Sequence, residues 1–335
     1  MTTLFLAMES AVLVVRQAAG GWTGEQDLRG GALQALAVDP GRPERIYVGT
    51  DREGLWRSVD GGRTWSRPAE SLEGRDVTAV AVAPAGGGTP GAVYAGTEPS
   101  LLFRSTDGGD TWAKLEGMTR LHSAPTWSFP PRPETHHVRW IGIDPRHPGH
   151  LYVAVEAGAL LRSRDGGANW MDRVPTGPYD THTLAIHPRT GRLHSAAGDG
   201  YFESADGGES WTEIDEGLRH GYLYGVAVLP GDPEAMLVSA ASGPFQAYSA
   251  RSATTYVYRR RGDRWERVQE GLPEPRGTTI GTLATHAAEP DAVYLANNRG
   301  LFRSADGGAT WQHLDVGWPE EFLSESVQGF AVADL

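Results

Sequence analysis

Histidines and carboxylates are the residues of this 335-residue chain whose types could do chemistry. His137, His182, His220, Glu98, Glu156 and Asp180, with Arg139 and Tyr222 among them, fall at or beside matched positions of a repeating sequence. Imidazole with carboxylate suits Zn, Mn, Fe or Ni better than Ca or Mg, which prefer oxygen alone. An open position on such a metal polarises a carbonyl or activates water. On this reading His137, His182, His220 and Asp180 are metal ligands and Glu98 and Glu156 an acid and base. Arg139 is an anion clamp and Tyr222 a further catalytic group. No HxH or HExxH spacing marks the set, because ligands drawn from different units leave no local signature. The competing expectation is a solvated polar rim whose carboxylates pair with Arg139 and Arg219.

The elements that must position these groups are set by an octapeptide. It reads SVDGGRTW over Ser58–Trp65, and its near-copies end at Trp112, Trp170, Trp211 and Trp311. A fixed motif recurring every ~40 to 50 residues indicates stacked supersecondary units. Each copy follows an alternating apolar run, a Tyr-Val-Gly-like run and a Leu-Trp/Phe-Arg-Ser run. In the first unit these are Leu33–Val38, Ile46–Thr50 and Leu55–Ser58, with Thr64–Arg67 after the motif. Short β-branched and aromatic runs between Asp-Pro and Gly-Gly turns read as four antiparallel strands, a to d. Glycine supplies positive φ in the c-to-d turn while Ser and Asp side chains bond its amides. The carboxylates of Asp60, Asp107, Asp165, Asp206 and Asp306 are therefore a folding device.

The motif resembles the Asp-box, or BNR, repeat of sialidases, xyloglucan-type glycosidases, sortilin-like receptors and photosystem II assembly propellers. The resemblance implies a β-propeller and no single function, since unrelated activities share the repeat. Sialidase activity is not expected: sialidases use an arginine triad, an early Arg-Ile-Pro-type motif and usually six blades, and this sequence shows none of these.

Trp22 and Trp265 stand where decayed copies would end, which brings the tryptophan series to seven. The final run Val327–Asp334 matches strand a, while Leu4–Ala7, Val12–Arg16 and Trp22 match b, c and d. The expectation is all-β: one seven-bladed propeller domain over residues 1–335, with four-stranded antiparallel blades and a closing blade shared by the two termini.

Aligned on this frame, the level of Asp51 is occupied by Glu9, Glu98, Glu156, Gly198 beside Asp199, Ala241 and Asn298, so that acids converge at one end of the channel. Strand a begins with Ala32, Asp76, His137, Asp180, Tyr222, Thr279 and Val327. Two residues later come Gln34, Thr78, Arg139, His182, Tyr224, Gly281 and Gly329. Two insertions decorate the same face: Leu115–His136 carries His122, Trp127, Phe129 and Arg132, and Ala241–Thr255 carries Phe245, Tyr248 and Arg251. Long loops in compact domains are usually functional, and these read as lids.

Net charge −12 disfavours nucleic acid or an anionic membrane as partner. The run Arg259–Arg261 is expected to be a solvated turn in place of a decayed motif. Cysteine is absent, excluding disulfides and thiolate sites, and no apolar stretch approaches the ~20 residues of a membrane helix. A cytoplasmic protein is expected, without a nucleotide cofactor. The functional expectation is a hydrolase or lyase acting on a small polar or carbohydrate-like molecule. The alternatives are a non-catalytic interaction propeller, similar to the photosystem II assembly factors, and a glycan-binding module. Oligomeric state is left open.

Overall fold

Apolar runs at the level of strand b, such as Ile46–Thr50, Leu151–Val155 and Met236–Ala241, are buried along their whole length. A strand buried on both faces must lie in a sheet sandwiched between two others. A computed structural model, which describes residues 1–68, 72–85 and 91–335, shows how this is achieved. Seven antiparallel sheets follow one another around a ring. Each hydrophobic cluster is shared by neighbours: Phe5, Ala7, Val12 and Val14 of the closing sheet pack on Leu33, Ile46 and Val48 of the first.

Blades are numbered 1 to 7 from Leu33. Their a strands are Leu33–Asp39, Asp76–Val82, Val138–Ile143, Thr181–Ile186, Tyr222–Val228, Thr282–His286 and Val327–Asp334. Blade 7 is closed as expected: Val327–Asp334 pairs antiparallel with Thr2–Met8, with Leu4 opposite Val332 and Phe5 opposite Ala331. Val12–Ala18 and Gly21–Asp27 complete it. Among the described residues, five sheets have four strands. In blades 1 and 3 the d position is reduced to one bridge, Arg57 to Ser66 and Arg162 to Met171, so the expected Thr64–Arg67 strand is only a vestige.

The repeated turn works through its own side chains. In blade 4, Asp206 Oδ1 accepts from the Ser204 hydroxyl at 2.7 Å and from the amides of Glu209 and Ser210 at 3.0 Å. Its Oδ2 accepts from the Ser210 hydroxyl at 2.6 Å. The turn thereby turns the carbonyl of its first glycine toward the preceding blade. Tyr47 and Arg57 of blade 1 donate to Gly108 of blade 2 at 3.0 and 2.7 Å, and Arg16 of blade 7 donates to Gly61 of blade 1 at 2.8 Å. Motif, strand-b tyrosine and strand-c arginine thus form one interblade clamp.

Blade 5 lacks the motif, and here the expectation of a solvated arginine turn is overturned. Thr255–Arg261 is strand c, and Arg260 is 4% exposed. Its guanidinium donates to Glu203 of blade 4 at 2.7 Å and to the Gly262 carbonyl at 2.7 Å. Glu203 occupies the strand-c position at which Arg57 stands in blade 1, so the clamp is kept with its charges exchanged. A buried guanidinium needs such a partner.

Candidate functional site

Strand-a starts and the b-to-c connections meet at one end of the channel. There a cavity of about 280 Å³ is lined by residues that include Glu9, Glu98, His137, Arg139, Glu156 and Tyr248. A second, smaller cavity of about 60 Å³ is lined by residues that include Trp140, Tyr224, Leu283 and Phe330. Three of the four acids aligned at one level do line the larger cavity. Asp51 does not; it is half exposed and 3.6 Å from Arg52.

His137 stands between two carboxylates. Its Nε2 donates to Glu156 Oε2 at 2.8 Å, and its Nδ1 lies 3.8 Å from Glu98 Oε2. Burial alone would raise the Glu156 carboxyl. The hydrogen bond from His137 and the Arg139 charge, 3.4 Å away, overcome it and bring the pKa to about 2, so Glu156 is ionised. The Arg139 guanidinium lies 4.9 Å over the Tyr224 ring, a cation–π contact that helps hold it in a buried place.

One step around the ring, Glu156, Asp180 and His182 bring three potential ligand atoms within 4.8 Å of one another. Asp180 Oδ1 accepts from the Ala157 amide of blade 3 at 2.7 Å, leaving Oδ2 to face the His182 ring. Burial, with Glu156 and Asp199 nearby, raises the Asp180 carboxyl against the opposing effect of His182. His182 is 0% exposed, and its Nδ1 donates to the Leu223 carbonyl of blade 5 at 2.5 Å. At the same strand position Thr78 makes the equivalent bond to Val138 of the next blade. Histidine supplies that interblade bond and adds a second nitrogen. Because a carbonyl only accepts, the proton sits on Nδ1. Nε2, 3.6 Å from Asp180 Oδ2, has no hydrogen-bond partner among the described residues. An imidazole fixed by a backbone carbonyl, its other nitrogen aimed at carboxylates, is the usual arrangement of a metal-ligating histidine.

The remaining predicted residues divide. Tyr222 lies against the His182 ring at 4.9 Å and shares a 2.6 Å hydrogen bond with Tyr248; burial raises its hydroxyl, which stays protonated. Glu98 lines the cavity and is held by Arg132 at 2.8 Å. His220 is not brought to the cluster: its ring stacks on Tyr256 at 3.9 Å and its Nδ1 bonds the Tyr258 hydroxyl at 2.6 Å, on the outer strands of blade 5. His136 packs against Trp127 instead. Asp199 accepts from the amides of Tyr179 and Asp180, bracing the loop rather than reaching the cavity.

Both insertions lie over the cavity in part. Phe129 meets the His137 ring edge-on at 4.9 Å and Arg132 reaches Glu98, while Trp127 is buried in the interblade core. From the second insertion Tyr248 enters the cavity and its carbonyl accepts from Ser326 of blade 7, whereas Phe245 points outward and is 82% exposed. Alignment put Tyr224 at the level of Arg139 without giving it a role; that its ring lies beneath the guanidinium depends on side-chain direction across two blades. Gly198 was a usable signal: where three other blades place an acid that lines the cavity, blade 4 has glycine, and the space admits Asp180 and His182.

No family model matches the chain, and no curated protein matches it in sequence. Solved structures do resemble it. YCF48 bound to a D1 peptide is 20% identical, with 86% of this chain and 83% of that chain covered and a TM-score of 0.58. The GH74 xyloglucanase of Xanthomonas campestris is 18% identical over 94% of this chain and 52% of its own, with a TM-score of 0.68. The GH74 enzyme of Niastella koreensis is 18% identical over 92% and 53%, with a TM-score of 0.66. The chain spans about half the length of the two GH74 chains. At such identities the likeness is one of fold.

Proposed function

We propose that this chain is a hydrolase or lyase that acts on a small polar, carbohydrate-like molecule at the channel mouth. A divalent transition metal, Zn, Mn, Fe or Ni, is held by Glu156, Asp180 and His182. The observation that carries this reading is His182 Nε2, buried, unpartnered among the described residues and directed at Asp180. A cation there would take up a ring nitrogen that has no hydrogen-bond partner among the described residues, beside two carboxyl groups, and imidazole with oxygen ligands selects these metals.

When bound, such an ion supplies Lewis acidity and an activated water. The protein's own groups do the rest. His137 orients Glu156 through its 2.8 Å hydrogen bond. Glu98, the second carboxylate of the cavity, exchanges a proton with the substrate, and Arg139 attracts an anionic group. Tyr222 keeps its proton and shares a hydrogen bond with Tyr248, which lines the cavity. Phe129 and Arg132 cover the entrance, reducing access of bulk water.

A second reading, a non-catalytic interaction propeller or glycan-binding module, is favoured by the exposed ring of Phe245 on the same face. Assays with nitrophenyl glycosides and short oligosaccharides, on protein loaded with each of the four metals, separate the two. The enzyme reading predicts turnover that Glu98→Gln removes without changing metal content. Metal-loaded protein inert across the panel leaves the interaction reading standing.

A further inference from the structure

Two blades lack the repeated turn, and their interfaces differ. At blade 5 the space is filled from within by Arg260, bonded to Glu203. At blade 7 the c-to-d connection is the short Ala18–Gly21, and a β-carbon added at Gly20 or Gly21 would meet nothing within 4 Å. At Gly109 and Gly208, inside intact turns, the same atom would lie 3.3 Å from Tyr47 and 2.8 Å from Arg162 of the preceding blade. Between blades 6 and 7 there is accordingly a cleft of about 830 Å³, lined among others by Gln17, Trp22, Glu289, Tyr294, Arg303 and His313. That volume falls in the range of ligand sites.

Blade 6 nevertheless retains the clamp that would grip such a turn. Tyr294 and Arg303 occupy the positions of Tyr47 and Arg57. With no glycine carbonyl to meet, they turn to Glu289: the Tyr294 hydroxyl donates to Oε1 at 2.7 Å and Arg303 pairs with Oε2. Arg303 Nε also donates to the Tyr294 oxygen at 3.1 Å. Glu289 is a partly exposed side chain on the cleft wall, so water can take over its bonds when a backbone acceptor arrives.

We propose that the cleft between blades 6 and 7 docks a glycine-containing turn of a partner polypeptide, whose backbone carbonyl accepts from Tyr294 and Arg303 as Gly108 accepts from Tyr47 and Arg57. The partner thus completes an interface that the chain leaves open, much as an added strand completes a sheet edge. This site is separate from the channel mouth and independent of the reading given to it.

The probe is the acetylated, amidated octapeptide SADGGATW, the sequence of residues 304–311, titrated calorimetrically into the full chain. Saturable binding at one site per chain is expected, weakened at least tenfold by Arg303→Ala and by Gly20→Trp, which places a large side chain at the cleft rim. A β-carbon at Gly20 meets no atom within 4 Å, so this variant keeps the test valid if Arg303→Ala fails to fold. Absence of saturable binding, or binding unchanged in a folded variant, overturns the proposal.

Discussion

Gly198 and Asp180 are matched in shape: a β-carbon on Gly198 would stand 2.1 Å from Asp180 Oδ2 and 3.3 Å from His182 Cε1. The carboxylate holds its place only because that residue has no side chain. Gly198→Ala is therefore expected to swing Asp180 away from His182 and to weaken metal binding roughly 10- to 100-fold, the range seen when the support of a metal ligand is lost. Metal titration of the folded variant checks this; affinity equal to the wild type would place the ion elsewhere.

The repeated turn is held by its own side chains, at the end of the blades opposite the proposed site. Asp206→Ala removes an acceptor for two amides and two hydroxyls and is expected to cost roughly 1 to 3 kcal/mol. Denaturant unfolding measures that loss, while activity per folded molecule stays at the wild-type level. Lost activity in a normally folded variant would assign the turn a chemical role.

Ring closure by the two termini predicts a sharp response to truncation. Deleting residues 327–335 strips the partner from Thr2–Met8 and bares Leu4, Phe5 and Leu6, all at 0% exposure in the intact ring. At ~25 cal/mol per Å² of apolar surface such a loss amounts to several kcal/mol. A melting temperature equal to that of the full chain would contradict closure.

Much of this fold was legible because the blade signal is local and repeated. The Ser-x-Asp-Gly-Gly turn, the tyrosine of strand b and the arginine of strand c recur at fixed spacing, and Trp22 and Trp265 marked the two blades that lost the turn. The site was legible only as a level in the ring. Alignment brought Glu98, Glu156, His137, Asp180 and His182 to one end, but which of them share a cavity depends on side-chain direction. His220 follows its backbone to the outer strands, and Asp51 stays outside. Arg260 misled for the same reason, since a basic run reads as solvated until Glu203, 57 residues away, is seen to face it.

A pH dependence follows from His194, which takes the strand-b tyrosine position in blade 4. Burial, with Arg192, Arg260 and His187 nearby, lowers its pKa to about 3. The Tyr201 hydroxyl at 2.7 Å and Glu203 at 3.8 Å also face it. The native state holds the ring neutral, whereas the unfolded chain protonates it near 6.5. Its contribution to stability is therefore complete above about pH 6.5 and lost as pH falls from there toward 3, at up to ~1.4 kcal/mol per pH unit. His194→Gln should flatten the fall in urea-unfolding stability between pH 6 and pH 4. A variant with the wild-type slope would show that this ring does not carry the linkage.

Whether Glu156, Asp180 and His182 hold a transition metal is read from metal content by mass spectrometry. It is read on purified wild type and on protein reloaded with Zn, Mn, Fe or Ni, beside Asp180→Asn, which keeps the bond from the Ala157 amide while removing the charge. About one ion per chain is expected in the wild type, with a rise in melting temperature on loading, and loss of both in the variant. Wild-type protein that stays metal-free, with a melting temperature unmoved by all four ions, would contradict a metal at this site.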